Sequence, residues 1–230
     1  MTSAYSERDG RRPRPSTGGS LVYLVTNLPL GIVSFTLLVT LTTVGIATVL
    51  VWVGLPVLVL TVVVVRGAAS AERARVHTLL GTYIAKPYRP LPEGGWPARW
   101  KARLAEGATW RDFAYLVLLF PFGTAEFVLV VTLWSLALAL TALPVYVRYL
   151  PDGAFAFEWD GARWFVVDSP VAALPWAMLG ILCLGAAIAL TRVLGVLHAH
   201  FARALLGPGP FARRFAEADD SGTQPFVTAA

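Results

Sequence analysis

Apolar residues run almost unbroken through three stretches of this chain. Segments 21–65 and 170–191 hold no charged residue, and 113–147 holds only Glu126. Each exceeds the roughly 18–20 apolar residues that cross a hydrocarbon core. The first stretch is long enough to cross twice, so the pattern predicts four transmembrane helices. Two placements of the first crossing pair remain open. A tight turn near Thr42-Thr43 gives two spans of ordinary length. Alternatively, Gly54-Leu55-Pro56 forms the turn, with Pro56 in the first turn of the second helix, where its missing N–H is harmless. The third span lies within 113–147 and the fourth within 170–191. Between them, Phe155 to Val167 alternates around Asp160-Gly161, the strongest short-range signal for a β-hairpin.

The chain also repeats itself. Tyr23-Leu24-Val25, Pro29, Gly31, Phe35, Leu37 and Val39-Thr40-Leu41 recur 92 positions later as Tyr115-Leu116-Val117, Pro121, Gly123, Phe127, Leu129 and Val131-Thr132-Leu133. A second echo relates Arg66 and Leu79-Leu80-Gly81 to Arg192 and Leu205-Leu206-Gly207 at an offset of 126. Repetition on this scale predicts one membrane unit used twice. The fold class expected is an all-α integral membrane protein. Its four transmembrane helices form two repeated helical hairpins, with a small extracytoplasmic β-hairpin and cytoplasmic interfacial helices. The expected organisation is a disordered Arg-rich segment 1–20, a membrane domain over 21–208 and a disordered tail 209–230. Within the domain, repeat 1 covers about 21–81, a linker 82–110 and repeat 2 about 111–207.

Composition agrees: 56% of residues are apolar, 14% are charged, and the mean hydropathy is +0.63. Charge then sets orientation. Four Arg lie in 1–20, nine Lys/Arg in 66–111 and four Arg in 192–214, whereas 148–169 holds two Arg against four acidic residues. The positive-inside rule puts both termini and the central segment in the cytoplasm and 148–169 outside, in a multi-pass plasma-membrane protein. The net charge of +5 reads as topology and attraction to lipid headgroups, with no nucleic-acid footprint. The first apolar run is too long for a signal-peptide core and reads as an uncleaved helix.

A two-residue hairpin turn sets Glu158 opposite Arg163 and Phe157 opposite Trp164. One face then presents Phe155, Phe157, Trp159 and Trp164, either as an aromatic cap over the helix ends or as an extracytoplasmic site for an apolar ligand. On the cytoplasmic side, Glu72, Arg73, Arg75 and His77 read as interfacial decoration. Trp96, Trp100 and Leu104 share one face of an in-plane amphipathic helix.

Catalytic signals are weak. His198 and His200 point to different helix faces, His77 stands alone, and Cys183 is the single cysteine, so no metal site and no cofactor is expected. No phosphate loop, dinucleotide fingerprint or nucleophile elbow occurs in its required context. One residue stands apart: Glu126, a carboxylate at membrane depth where the first copy has Ser34. Such a group is expected to be paired, and Arg66 and Arg192 are its candidate partners. The alternative is that Glu126 lies at the interface, with the third span starting at Pro121. Asn27 reads as interfacial.

The doubled Tyr-Leu-x4-Pro-[Leu/Phe]-Gly-x3-Phe-x3-Val-Thr-Leu pattern, Thr109-Trp110-Arg111-Asp112-Phe-Ala-Tyr115-Leu and the ending Ala202-Arg-Ala-Leu-Leu-Gly207-Pro208 resemble the sensor domain of actinobacterial membrane proteins. The resemblance covers roughly 21–208. It implies a four-helix module that commonly precedes a histidine kinase and receives a membrane or extracytoplasmic signal. No dimerisation helix with a phospho-accepting His and no ATP-binding domain follows here, so kinase activity is not carried over. The expectation is a stand-alone, non-catalytic sensor-like membrane protein acting on a separate histidine kinase or regulator. The other class kept open is a small transporter, lipid-binding or export accessory protein, for which a homodimer could line an aqueous path.

Overall fold

The structure, a computed structural model, describes residues 16–88, 95–150, 154–159 and 162–209. Its frame is four long helices: α1 (Thr17–Ala47), α2 (Gly54–Leu80), α4 (Gly107–Tyr146) and α5 (Leu174–Leu206). A short helix α3 (Trp96–Ala105) precedes α4, and strands β1 (Phe155–Trp159) and β2 (Ala162–Val167) join α4 to α5. All four long helices have the length and hydropathy to cross a membrane. Segments 1–15 and 210–230, which include most of the polar termini expected to lack order, lie outside the described residues.

Local chemistry sets the helix ends. α1 begins at Thr17, four residues before the expected start, because the Ser16 hydroxyl accepts the Gly19 N–H at 3.0 Å and caps the helix. The chain stays helical through Thr42-Thr43, so no turn forms there. The turn is Thr48–Val53, where Val49–Val51 make a 3-10 turn, Trp52 takes φ 63° and the Gly54 N–H reaches the Thr48 carbonyl at 3.0 Å. Pro56 accordingly sits in the first turn of α2, where the unpaired N–H groups of a helix start lie. α2 stops at Gly81, whose φ of 64° is the left-handed cap that glycine adopts without a Cβ clash.

Lipid solvates apolar surface as well as a helix partner does, so the bundle is held by close backbone approach and internal polar contacts rather than by water exclusion. The doubled glycines supply the close approach. A Cβ on Gly31 would lie 2.9 Å from the Phe120 Cα, and one on Gly123 would lie 3.0 Å from the Asn27 carbonyl oxygen. The two glycines therefore bring α1 and α4 together from opposite sides of one crossing. The main buried apolar cluster lies at the same end of the bundle as the termini. It includes Leu24, Val65, Ala69, Val76, Leu80, Leu116, Leu119, Ala202 and Leu206.

At the opposite end, β1 and β2 pair antiparallel. Glu158 faces Arg163 as the turn predicts, but Phe157 faces Phe165 instead of Trp164. An irregularity between Phe157 and Glu158 inserts one residue and shifts the register, as a bulge does. Val167 is buried with Leu143, Val147 and Ala173, which seats the second strand on the ends of α4 and α5. Phe155 lies at the exposed margin, and the side chains of Phe157, Trp159 and Trp164 lie outside the described residues.

Candidate functional site

Seven polar side chains from all four long helices form a closed hydrogen-bonded ring inside the bundle. α1 contributes Tyr23 and Asn27, α2 Glu72 and Arg75, α4 Tyr115 and Glu126, and α5 His198. Arg75 donates to Glu72 Oε2 at 2.7 Å and to Asn27 Oδ1 at 2.5 Å. Asn27 Nδ2 in turn donates to Glu126 Oε2 at 2.7 Å. Glu126 meets His198 Nδ1 at 2.7 and 2.9 Å through its two oxygens. His198 Nε2 lies 3.1 Å from the Tyr115 hydroxyl, which is itself 3.1 Å from Glu72 Oε1. Tyr23 donates to the same Glu72 oxygen at 2.5 Å and meets the Tyr115 hydroxyl at 3.3 Å.

The walls of the ring are aromatic. Tyr23 and Phe201 present edges to the His198 ring at 4.9 and 5.7 Å, and the Arg75 guanidinium stacks on Tyr23 at 4.2 Å. Tyr23, Tyr115, Asn27 and His198 are 0–1% exposed, while the side chains of Arg75 and Glu126 keep 16% and 11%. The ring is thus closed except along its Arg75–Glu126 side.

Its depth follows from helix length. Asn27 and Glu126 each lie 20 residues before the ends of their helices, Ala47 and Tyr146, and Arg75 lies 21 residues after Gly54. At 1.5 Å per residue these are paths of about 30 Å, the thickness of a hydrocarbon core. With the hairpin end at one face of the bilayer, the ring sits at the level of the opposite boundary.

A second polar cluster lies beside it, nearer the termini. Arg73 and Asp112 form an ion pair at 2.6 Å with side chains only 5% and 0% exposed. Arg73 also donates to the Leu206 carbonyl at 3.1 Å and to the Tyr88 hydroxyl at 3.1 Å, and Tyr88 donates to Asp112 at 2.6 Å. Arg66 stacks on the Tyr88 ring at 3.8 Å and pairs with Glu106 at 3.0 Å. Tyr88 therefore pins the segment that follows α2 to α4. Burial, reinforced by the hydrogen bond to Asp112, raises the Tyr88 hydroxyl above its ordinary value.

A family model described as "Putative sensor" matches residues 23–206. The chain belongs to that family. No curated protein and no solved structure matches it. The family is a sensor family and not an enzyme family, and among the described residues no group of His, Cys, Asp and Glu could hold a metal ion.

The site of this sensor-family protein differs from the one its sequence suggests. Glu126 is paired, but neither Arg66 nor Arg192 is its partner. Arg66 reaches instead toward Glu106 and Thr109, as a long basic side chain does when its head seeks a polar boundary. Arg192 donates to the Thr17 hydroxyl at 2.7 Å. His198, read as one of two misaligned histidines, is the true partner. Glu72, Arg73 and Asn27, read as interfacial, are buried inside the bundle rather than displayed on its surface. The missed residues did leave a signal. Tyr23 and Tyr115 open the two copies of the doubled motif, and Glu72 and His198 stand 126 positions apart, the offset of the second echo.

Removing the Tyr88 hydroxyl tests the second cluster. Tyr88→Phe is expected to destabilise the docked segment by about 1.5–3 kcal/mol, the worth of a hydrogen bond to a charged group. Limited proteolysis of the 81–88 segment reports it as faster cleavage. The neutral phenol is the form held. The anchor's contribution is therefore full below the ordinary tyrosine range near about pH 10 and is lost progressively as pH rises from there through the elevated value.

Proposed function

We propose that the protein is a non-catalytic membrane sensor in which a signal shifts the four-helix bundle and a separate histidine kinase or regulator reads the shift. The observation that carries this reading is the closed ring, which ties all four helices together at one boundary of the membrane. The members of a buried polar network hold one another in place, so breaking one link loosens the rest. That gives the bundle two arrangements, ring closed and ring open, rather than a continuum. The basic residues concentrated at the termini end favour a cytoplasmic position for the ring and for the partner. The family match supports reception of a signal.

The test places spin labels at the exposed positions Ala74 on α2 and Leu197 on α5, in a Cys183→Ser background reconstituted in lipid nanodiscs. Glu126→Gln keeps the shape of the side chain and removes its charge. The expected result is a second, longer distance population of a few ångströms in the variant, together with altered recovery of a partner from native membranes. Distances identical to those of the parent protein, with no partner whose recovery changes, would exclude the relay.

A further inference from the structure

We propose that the ligand of this ring is a proton, taken up at His198 from the side of the bundle that carries the termini. The proposal rests on the ring being the switch of the sensor, and it names what throws it. The starting point is donor accounting. Arg75 donates to Asn27 Oδ1, which orients the amide so that Nδ2 donates to Glu126 Oε2. Glu126 Oε2 is therefore an acceptor, and the 2.7 Å contact between Oε1 and His198 Nδ1 must contain a proton.

The other nitrogen is where two states become possible. In the first, Nε2 is bare and accepts from the Tyr115 hydroxyl across 3.1 Å. In the second, Nε2 carries a proton and donates to the Tyr115 oxygen, whose own O–H turns to Glu72 Oε1 at 3.1 Å. Both states satisfy every polar atom of the His198–Tyr115–Glu72 path. They differ by one proton and by the direction of a single hydroxyl.

The two states also differ in the charge balance of the ring. Every element packed against His198 is accounted for: α1 presents Tyr23 and Asn27, α2 Glu72 and Arg75, and α4 Tyr115 and Glu126. On α5 itself, Arg192 is turned toward Thr17. With the shared proton on Nδ1 and Nε2 bare, the ring holds two carboxylates against one guanidinium. One proton balances it, and a balanced buried cluster avoids the penalty of an uncompensated charge. The same step adds a donor to Glu72 and so draws α2 toward α4 and α5. Imidazole is the side chain whose unperturbed chemistry changes charge between about pH 5 and 8. The partial exposure of Arg75 and Glu126 opens the Nδ1 side of the ring at the level of the bilayer boundary.

The experiment combines two readouts on one nanodisc preparation between about pH 5 and 8. Solid-state NMR of protein labelled with nitrogen-15 histidine follows the ring nitrogens. His198→Gln, which preserves a polar bridge but does not titrate, identifies the His198 signals against those of His77 and His200. Spin labels at Ala74 and Leu197 follow the α2–α5 distance. The expected result is that Nε2 changes from bare to protonated as pH falls, while the distance narrows to one population with the same midpoint. His198→Gln and Glu126→Gln both abolish the distance response. If His198→Gln fails to fold, Tyr115→Phe replaces it. That variant keeps the imidazole but removes the hydroxyl that carries the change to Glu72, so Nε2 still titrates while the distance no longer follows. Constant His198 signals across the window overturn the proposal. Distances that respond to Glu126→Gln but not to pH overturn the proton alone and leave the sensor reading standing. Distances that respond to neither, with no partner whose recovery changes in Glu126→Gln, overturn both.

Discussion

Asp112→Ala is expected to destabilise the bundle by about 3–5 kcal/mol, the loss that follows when one partner of a buried ion pair is removed. The reason lies in what remains. Arg73 and Asp112 pair at 2.6 Å in a site that solvent barely reaches. Without the carboxylate, the guanidinium is a buried charge whose remaining contacts are to the neutral Leu206 carbonyl and Tyr88 hydroxyl. Tyr88 loses its acceptor in the same step, so the segment after α2 comes free with it. Thermal unfolding in nanodiscs, followed by tryptophan fluorescence, measures the loss. The control is Arg73→Met combined with Asp112→Ala. Removing both charges spares the penalty of an unpaired ion, and the double variant is expected to recover much of the lost stability. A double variant no more stable than Asp112→Ala would show that the pair acts through shape and not through charge.

The second large effect is steric. Gly123→Val is expected to cost about 3 kcal/mol, the upper end of overpacking penalties, because the obstacle is backbone and has no rotamer to yield. A Cβ at Gly123 meets the Asn27 carbonyl oxygen at 3.0 Å and the Asn27 Cβ at 3.1 Å. Asn27 is also the residue that joins Arg75 to Glu126. The variant therefore both separates α1 from α4 and pulls one link out of the ring, and the α2–α5 distance should broaden along with the drop in thermal stability. Gly67→Ala is the matched control. Nothing lies within 4 Å of a Cβ at that position, and replacing an interior helix glycine with alanine stabilises by about 0.5–1 kcal/mol. If Gly123→Val left stability unchanged, the helix crossing would not depend on close backbone approach.

These two predictions mark the limits of what could be read from residues alone. The helices were legible because the bilayer imposes a length and a hydropathy on any segment that crosses it, and 21–65, 113–147 and 170–191 meet both. The hairpin was legible because Asp160-Gly161 is a local turn signal. Its detailed pairing was not, since the turn signal carries no mark of the irregularity after Phe157. Glu126 was legible as a residue that needs a partner, because an isolated carboxylate at that depth is unfavourable. Which partner it takes was not.

That choice is made by rotation and tilt of four helices about one another, and hydropathy says nothing about either. Arg66 and Arg192 looked suitable because they bear the opposite charge and recur in the repeat. Both are long enough to reach polar groups nearer the boundary, and in the fold they do so. His198, shorter and neutral when unprotonated, is instead carried inward by the face of α5 that packs on α4. The amino-acid sequence by itself determined four membrane helices, the hairpin end and the need for a buried counterpart to Glu126, because each is a consequence of local composition in an apolar solvent. Only the tertiary structure decided that residues from 23 to 198 close into one ring, because hydrogen bonds at 2.5 to 3.3 Å depend on how the glycine-mediated crossing of α1 and α4 sets the remaining helices.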